Sequence, residues 1–254
     1  MTLPTNGLVS IITPAFNAAR FISDTIESAR AQTYTDWEML VVDDCSSDQT
    51  AVIVNQCAKQ DERIYLLQHE HNLGPANARN TALSKTRGRY IAFLDSDDLW
   101  LPEKLERQFH FMHEKNAAIS FTQFRRISAD GSRCGGLIRV PPQITYYQLL
   151  KNTAIATSTV MIDRDKTGPF AMKKTYYDDY ALWLELLKHG FIAYGLQEDL
   201  MRYRVVTRSV SRRKVNSAIW VWRTYRNIEK LSIPYAAWCF ANYAVRGLLK
   251  YRHF

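Results

Sequence analysis

Tyr90-Ile91-Ala92-Phe93-Leu94-Asp95-Ser96-Asp97-Asp98 holds the information that fixes the architecture of this 254-residue chain. Five apolar residues in succession, without alternation, describe a strand buried on both faces. In extended chain, residues i and i+2 face the same side, so Asp95 and Asp97 are expected to present two carboxylates together. Two hard oxygen donors at a strand end suit Mg²⁺ or Mn²⁺, completed by phosphate oxygens and water. The competing role for the acidic loop is at a helix start, with Asp98 as cap.

Upstream, the same kind of strand recurs at regular intervals. Val9-Ser10-Ile11-Ile12-Thr13 stops at Pro14, and Glu38-Met39-Leu40-Val41-Val42 ends at Asp43-Asp44. A third strand is Ile64-Tyr65-Leu66-Leu67. Helical spacing separates them: Phe21, Thr25, Ile26 and Ala29 lie within residues 20–31, and Ser47-Asp48 caps a helix through Ala51, Val52, Val54 and Ala58. Pro75 opens a further helix to Ser84, with Pro in its first turn. Strand and helix alternating four times predict an α/β fold, a Rossmann-like parallel sheet covered by helices on both faces. Ligands of such sheets bind beyond the carboxyl ends of the strands. Pro14, Asp43-Asp44 and the Asp95–Asp98 run occupy those ends.

Downstream, residues 103–115 read as a helix, 118–124 as a strand, and Ala129-Asp130-Gly131-Ser132 as a hairpin turn. Residues 158–162 read as another strand. A helix from about Tyr180 to His189 stops at Gly190, and Leu182, Trp183, Leu186 and Leu187 form its buried stripe. Two acids, Asp178 and Asp179, stand at its mouth. The dipole there favours the anion, and an ionised carboxylate can act as general base; the plainer role is an N-cap.

Two other segments invite a ligand. A carboxylate of Asp43-Asp44 could accept the N3–H of a uracil or hold ribose hydroxyls, or it could serve a capped turn with Ser46, Ser47 and Asp48. Asn72-Leu73-Gly74-Pro75-Ala76-Asn77-Ala78-Arg79-Asn80 puts Arg79 one turn into a helix. That is an anion site or an ordinary helix start.

Composition narrows the class. The chain is 46% hydrophobic and 23% charged with 10 Gly and 8 Pro, which excludes collagen-like and mostly disordered chains. Four scattered cysteines (Cys45, Cys57, Cys134, Cys239) show no CxxC, against a disulfide framework or zinc site and in keeping with a reducing compartment. Residues 1–6 show no basic region followed by an apolar run, so no secretory signal is expected. An uncharged run of 15 residues lies between Lys230 and Arg246, and Pro234 interrupts it. A spanning helix needs about 20.

The net charge of +8 is uneven: residues 202–254 hold twelve Lys or Arg and one acid, Glu229, while residues 1–201 hold 21 basic and 24 acidic side chains. Trp220, Trp222, Tyr225, Trp238, Phe240, Tyr243 and Tyr251 interleave there with Arg212, Arg213, Lys214, Arg223, Arg226, Arg246, Lys250 and Arg252. Rings and basic heads together describe a segment lying on an anionic membrane surface. The alternative is a helical pair packed on the core. No nucleic-acid motif accompanies the charge, so no nucleic acid is expected as partner. The expected division is a catalytic domain over 1–201, with a nucleotide half (about 7–100) and an acceptor half (about 101–201), followed by a basic aromatic segment over 202–254.

Taken in order, these segments resemble the family 2 glycosyltransferases of the GT-A fold. The pieces that match are Val9-Ser10-Ile11-Ile12-Thr13-Pro14-Ala15-Phe16-Asn17, Gln32-Thr33-Tyr34-Thr35-Asp36-Trp37-Glu38, Val41-Val42-Asp43-Asp44-Cys45-Ser46-Ser47-Asp48, Asn72-Leu73-Gly74 with Ala78-Arg79-Asn80, Gly88-Arg89 through Asp98, and Asp178-Asp179-Tyr180. The resemblance spans about residues 7–210. It implies that Asp44 contacts uracil with Pro14, Phe16 and Asn17 lining the pocket. It also implies that Asp95 and Asp97 bind Mn²⁺ or Mg²⁺, that Arg79, Asp95 and Ser96 belong to the nucleotide site, and that Asp179 is the general base. Asp178 stands where the family carries Glu, and Cys45 where Gly is usual.

The expected activity is inverting transfer of one hexose, glucose or galactose, from a UDP-sugar to a lipid-diphosphate-linked sugar such as GlcNAc-diphospho-undecaprenol. That places it in bacterial O-antigen or surface-polysaccharide synthesis. The processive members' Gln-x-x-Arg-Trp motif is absent, so one sugar per event is expected, at the cytoplasmic face of the inner membrane. Two alternatives compete. A haloacid-dehalogenase-type phosphatase also uses DxD after an apolar strand, but expects it after the first strand with Thr or Val next. A non-catalytic lipid- or polysaccharide-binding module would rest on the tail.

Overall fold

The computed structural model describes residues 7–175, 177–206 and 214–250, with backbone alone at 214–216 and 246–250. Arg212, Arg213, Tyr251 and Arg252 of the basic tail lie outside the described residues. The first half contains β1 (Val9–Ala15), α1 (Ile22–Arg30), β2 (Trp37–Asp43), α2 (Thr50–Gln60), β3 (Ile64–Gln68), α3 (Pro75–Leu83) and β4 (Tyr90–Phe93). These strands align in parallel in the order β3-β2-β1-β4. The chain reverses its direction of travel across the sheet between β1 and β4, the point at which α/β sheets open a crevice.

Each strand of this half feeds both faces of the sheet. Val9 and Ile11 of β1 join a core with Ile22 and Ile26 of α1 and Val54 of α2, while Ile12 joins Ala78 and Ala82 of α3 on the other side. Asp48 accepts the Thr50 amide at 2.9 Å and so works at the head of α2, although Gln49 occupies the cap position. Gly88, just before β4, is required by proximity: a Cβ there would stand 2.6 Å from the Leu8 carbonyl oxygen and 2.7 Å from Ser10 Oγ.

The second half departs from a parallel sheet. It runs β5 (Leu99–Trp100), α4 (Lys104–Glu114), β6 (Ile119–Ser128), β7 (Cys134–Ile138), β8 (Gln143–Ile144), α5 (Tyr146–Leu149), a 3₁₀ turn (Thr157–Thr159), β9 (Met161–Asp163), α6 (Arg164–Thr167), α7 (Asp178–Lys188) and β10 (Ala193–Val205). The complete ten-stranded sheet continues from β4 through β9, β6, β10 and β5, with β7 on β6 and β8 on β10. β9 is antiparallel to both β4 and β6, whereas β6 and β10 are parallel, so the sheet is mixed.

Three expectations are corrected here. The strand placed at 118–124 extends to Ser128, and the hairpin at 129–132 joins it to β7. The strand placed at 158–162 is a 3₁₀ turn followed by β9. The Asp95–Asp98 run is a turn, closed by the Asp98 amide on the Asp95 carbonyl at 3.1 Å, and not a continuation of extended chain.

After β10 come α8 (Lys214–Arg223), a π-helical turn (Thr224–Ile228) and α9 (Ile233–Lys250). β10 passes without a break through the expected division at residue 201, and Arg204 at its end is 4% exposed. Val221, Tyr225, Ala236 and Cys239 of the C-terminal helices are fully buried in one cluster with Tyr180, Leu182 and Trp183 of α7. The aromatic tail therefore packs on the body. Among the described residues, no helix is long and apolar enough to cross a membrane.

Candidate active site

Four loops meet where β1, β2, β3 and β4 end. After β1, Phe16 is half exposed, and Asn17 has a left-handed backbone (φ 50°). The Asn17 amide donates to Ser46 Oγ at 2.9 Å, and its side-chain oxygen accepts the Ser47 amide at 2.9 Å, which ties the β1 loop to the β2 loop. Pro14 pairs in register with Val42, two residues before Asp44. Cys45 is left-handed too (φ 63°), a conformation that Gly takes at least cost. That is the physical reason for Gly at this turn in the family pattern.

Asp44 is 3% exposed and densely bonded. Its Oδ1 accepts the Leu73 amide at 2.9 Å and lies 2.7 Å from His69 Nδ1; its Oδ2 accepts the Gly74 amide at 2.8 Å. His69 Nε2 lies 2.9 Å from Thr81 Oγ1 on α3. The anion site at the head of α3 is thus filled by the protein's own carboxylate. Gly74, at φ 87°, supplies the turn that aims these amides.

The second centre joins the β4 loop to α7. Arg79 is buried, and its guanidinium bridges two elements: Nη2 lies 2.7 Å from Asp95 Oδ1 and Nη1 lies 2.8 Å from Asp178 Oδ2. Burial works against the arginine's charge, but Asp95, Asp178 and Asp179 outweigh it and hold the cation. Burial raises the Asp178 carboxyl above its usual range, with Arg79 opposing. A second bridge runs through the 3₁₀ turn. Thr157 Oγ1 donates to Asp179 Oδ2 at 2.6 Å, and Ser158 Oγ donates to Asp98 Oδ2 at 2.6 Å while accepting the Asp95 amide at 3.1 Å. Asp179, Asp178 and the Asp95–Asp98 turn are thereby held in one constellation, although they are far apart in sequence.

Asp98 does not cap α4. It is 1% exposed and accepts the Arg204 amide at 2.9 Å besides the Ser158 hydroxyl. Arg204 also donates Nε to the Asp97 carbonyl at 2.9 Å, so β10 clamps the turn from beneath. Burial and the neighbouring Asp95 push the Asp97 carboxyl up to about 6. Among the described residues, no three His, Cys, Asp or Glu side chains gather as a metal-binding group. Mg²⁺ or Mn²⁺ can be held by two carboxylates plus phosphate oxygens and water. The crowded pair Asp95 and Asp97 has the hard oxygen donors for that, and a cation would relieve the repulsion that raises Asp97. His69, Thr157, Ser158 and Arg204 carried no sequence signal of their own; each is recruited by a fold contact.

The family model described as glycosyl transferase family 2 matches residues 10–180. TuaG of Bacillus subtilis (strain 168), a glycosyltransferase provisionally named for teichuronic acid biosynthesis, is 47% identical over 244 residues, 96% of this chain and 97% of that one. The Escherichia coli protein WfgD, named UDP-Glc:alpha-D-GlcNAc-diphosphoundecaprenol beta-1,3-glucosyltransferase, is 39% identical over 245 residues, 96% of this chain and 95% of its own. In fold, the chain is similar to the mannosyltransferase PcManGT of Pyrobaculum calidifontis, solved with GDP-Man and Mn²⁺. The TM-score is 0.69 at 18% identity, covering 92% of this chain and 68% of that one. It also resembles S. aureus TarS 1–349 solved with UDP (TM-score 0.66, 21% identity, 86% of this chain), and spans 65% of that fragment's length. A mixed GT-A sheet, acids at its strand ends and these matches place the chain in glycosyl transferase family 2.

Proposed function

We propose that this enzyme transfers one hexose, glucose before galactose, from a UDP-sugar to a sugar carried on a lipid diphosphate such as GlcNAc-diphospho-undecaprenol. Transfer would invert the anomeric configuration and build a bacterial surface polysaccharide at the cytoplasmic face of the inner membrane. The observation that carries the proposal is the bridging of the Asp178-Asp179 pair to Asp95, by Arg79 at Asp178 and by Thr157 and Ser158 at Asp179. It sets a base candidate beside the Asp95–Asp98 turn, to which this reading gives the diphosphate. The named activity of WfgD supports the donor, the acceptor class and the β-linkage. The phosphatase alternative expects its acid pair after the first strand, whereas here the pair follows β4.

In this reading Asp179 takes the proton of the acceptor hydroxyl as that oxygen attacks the anomeric carbon. The bond from that carbon to the UDP oxygen breaks as the new one forms, and the departing UDP keeps the electron pair. A single displacement of this kind turns an α-linked donor into a β-linked product. Thr157 donates to Asp179 Oδ2 and the Tyr180 amide donates to Oδ1 at 2.7 Å, so both oxygens are oriented, and a remaining carboxylate lone pair takes the acceptor proton. Asp44 accepts the uracil N3–H on a lone pair of Oδ2 left over from the Gly74 amide, with Pro14, Phe16 and Asn17 as the pocket wall. Mn²⁺ or Mg²⁺ bound at Asp95 and Asp97 would neutralise charge on the leaving diphosphate. Ser96 and Arg79 flank that site.

Titration calorimetry with UDP tests the donor half, in Mn²⁺ and then in EDTA. Asp179→Asn should bind UDP as the wild type does while transfer falls by roughly 10³-fold or more, since a positioned base contributes about 10²–10⁴-fold. Asp97→Asn should weaken UDP in Mn²⁺ to the level found in EDTA. Substantial transfer by Asp179→Asn would remove the base assignment, and metal-independent UDP binding would remove the role given to Asp97.

A further inference from the structure

α9 has two apolar faces. One is inside: Ala236 and Cys239 are fully buried, Tyr235, Phe240 and Tyr243 pack against the same cluster, and the Phe240 ring lies 5.8 Å from that of Trp222. The opposite face meets water. Ile233 is 61% exposed, Trp238 50% and Val245 58%, and Pro234, Ala237, Ala241 and Ala244 between them are exposed as well. Positions 234, 237, 238, 241, 244 and 245 repeat at helical spacing, so they form one stripe along the helix. No charged residue occurs between Lys230 and Arg246. Tyr147 of α5, 65% exposed, lies close enough to Tyr235 of α9 to act on its hydroxyl, and Lys151 Nζ stands 4.0 Å from the Trp238 ring centre. A water-facing helix side of this length without a charge marks an interaction surface.

We propose that this face of α9, with Tyr147, seats the protein on an anionic lipid bilayer, the helix lying along the headgroup layer. The charge decides the occupant. Beyond β10, residues 206–254 carry ten basic side chains and one acid, Lys230 and Arg246 bracket the apolar stripe, and Lys151 stands beside Trp238. Anionic headgroups match that cation excess. A second copy of the chain would meet the same excess of its own sign across a two-fold interface. At 18 residues α9 is about 27 Å long, and its inner face stays on the protein, so it rests on the bilayer and does not span it.

The placement suits the reaction proposed above. Trp220 of α8 lies 6.0 Å, ring to ring, from Tyr177, the residue before Asp178. The same helical pair that meets the lipid thus packs beside the mouth of α7. Its purpose rests on the lipid-linked acceptor reading, but its test needs neither donor nor acceptor, so the two can fail separately.

The experiment is flotation of the full-length protein with vesicles of phosphatidylcholine alone and with about one-third phosphatidylglycerol. Trp238→Glu and, separately, Val245→Glu are the variants; Val52→Glu, an exposed apolar residue of α2 beside the other core, is the control. The wild type and Val52→Glu should float with anionic vesicles, less at high salt. Each α9 variant should lose about tenfold or more of its partitioning while melting at the wild-type temperature. Failure of the wild type to bind anionic vesicles would overturn the proposal, as would wild-type binding by both α9 variants. So would a wild-type dimer in solution that Trp238→Glu converts to monomer, because the face would then be a contact between copies. UDP binding measured on the same samples reports the donor site independently.

Discussion

Lys104, at the first position of α4, has no exposed surface, and its Nζ has no hydrogen-bond partner among the described residues. The Trp100 ring, with its centre 3.7 Å from Nζ, is the face offered to it. An indole face attracts a cation, but burial costs the charge more and holds the amine well below its ordinary value of 10.5. Lys104→Met keeps the length of the side chain and removes the buried amine, so it should stabilise the fold by about 1–2 kcal/mol near neutral pH. The sign with pH follows from proton counts. Between the lowered folded value and 10.5 the unfolded chain binds more protons at this site, so the wild type gains stability as pH rises. Urea titrations at pH 7 and 10 should therefore show the advantage of Lys104→Met shrinking at the higher pH. An equal advantage at both would mean the lysine is charged in the fold. Nothing in the sequence distinguishes Lys104 from a solvated lysine, because the site is made by β5 and α4 closing over it. Asp44, Asp95, Asp97 and Asp179 were legible for the opposite reason: each follows a strand or heads a helix whose pattern is local.

At the scale of elements, the parallel half was legible and the antiparallel half was not. β1 to β4 are apolar runs of four to seven residues separated by helices with their own period, so β1, β2 and β3 lie side by side in chain order and β4 returns to the free edge of β1. β9 has three residues, and β5 and β8 have two each, too few for any period to show. What places β9 is a long-range ion pair: Arg89 Nε and Nη2 donate to the two oxygens of Asp163 at 2.9 and 2.7 Å, beside the Tyr90–Asp163 register pair. Gly88-Arg89 was recognisable as a motif, yet its partner lies 74 residues on. Asp163 is 1% exposed. Arg89→Ala would leave that carboxylate buried without its main partner and should cost about 2–4 kcal/mol, toward the lower end because the arginine is partly solvated. A drop in urea midpoint with unchanged slope would report it. A change under 0.5 kcal/mol, within the range of about ±0.5 usual for surface substitutions, would mean that ladder hydrogen bonds alone hold β9.

At the scale of the whole molecule, composition suggested a body and a basic tail, and the packing joins them. Arg204, counted with the tail by its charge, is the clamp beneath the Asp97–Asp98 turn. Tyr225 donates its hydroxyl to the Leu150 carbonyl and is buried against α7. Glu229, the acid amid the tail's cations, accepts from Tyr146 at 2.6 Å and pairs with Lys188 of α7 at 3.0 Å. Deleting the chain after residue 206 would therefore uncover the α7 side of the core as well as remove the face proposed to meet the bilayer. Val221 and Tyr225 together bury side chains worth about 3–6 kcal/mol, and Tyr180, Leu182 and Trp183 would lose their cover. At about 2–4 °C per kcal/mol for a chain of this size, the truncated protein should melt at least about 10 °C lower and expose apolar surface to a fluorescent probe. It should lose UDP binding together with its fold. The point variants on α9, which leave the inner face intact, should do neither. An unchanged melting temperature after truncation would mean that the C-terminal helices are an independent segment resting on a self-sufficient catalytic body. The core would then have to close over α7 without Tyr225.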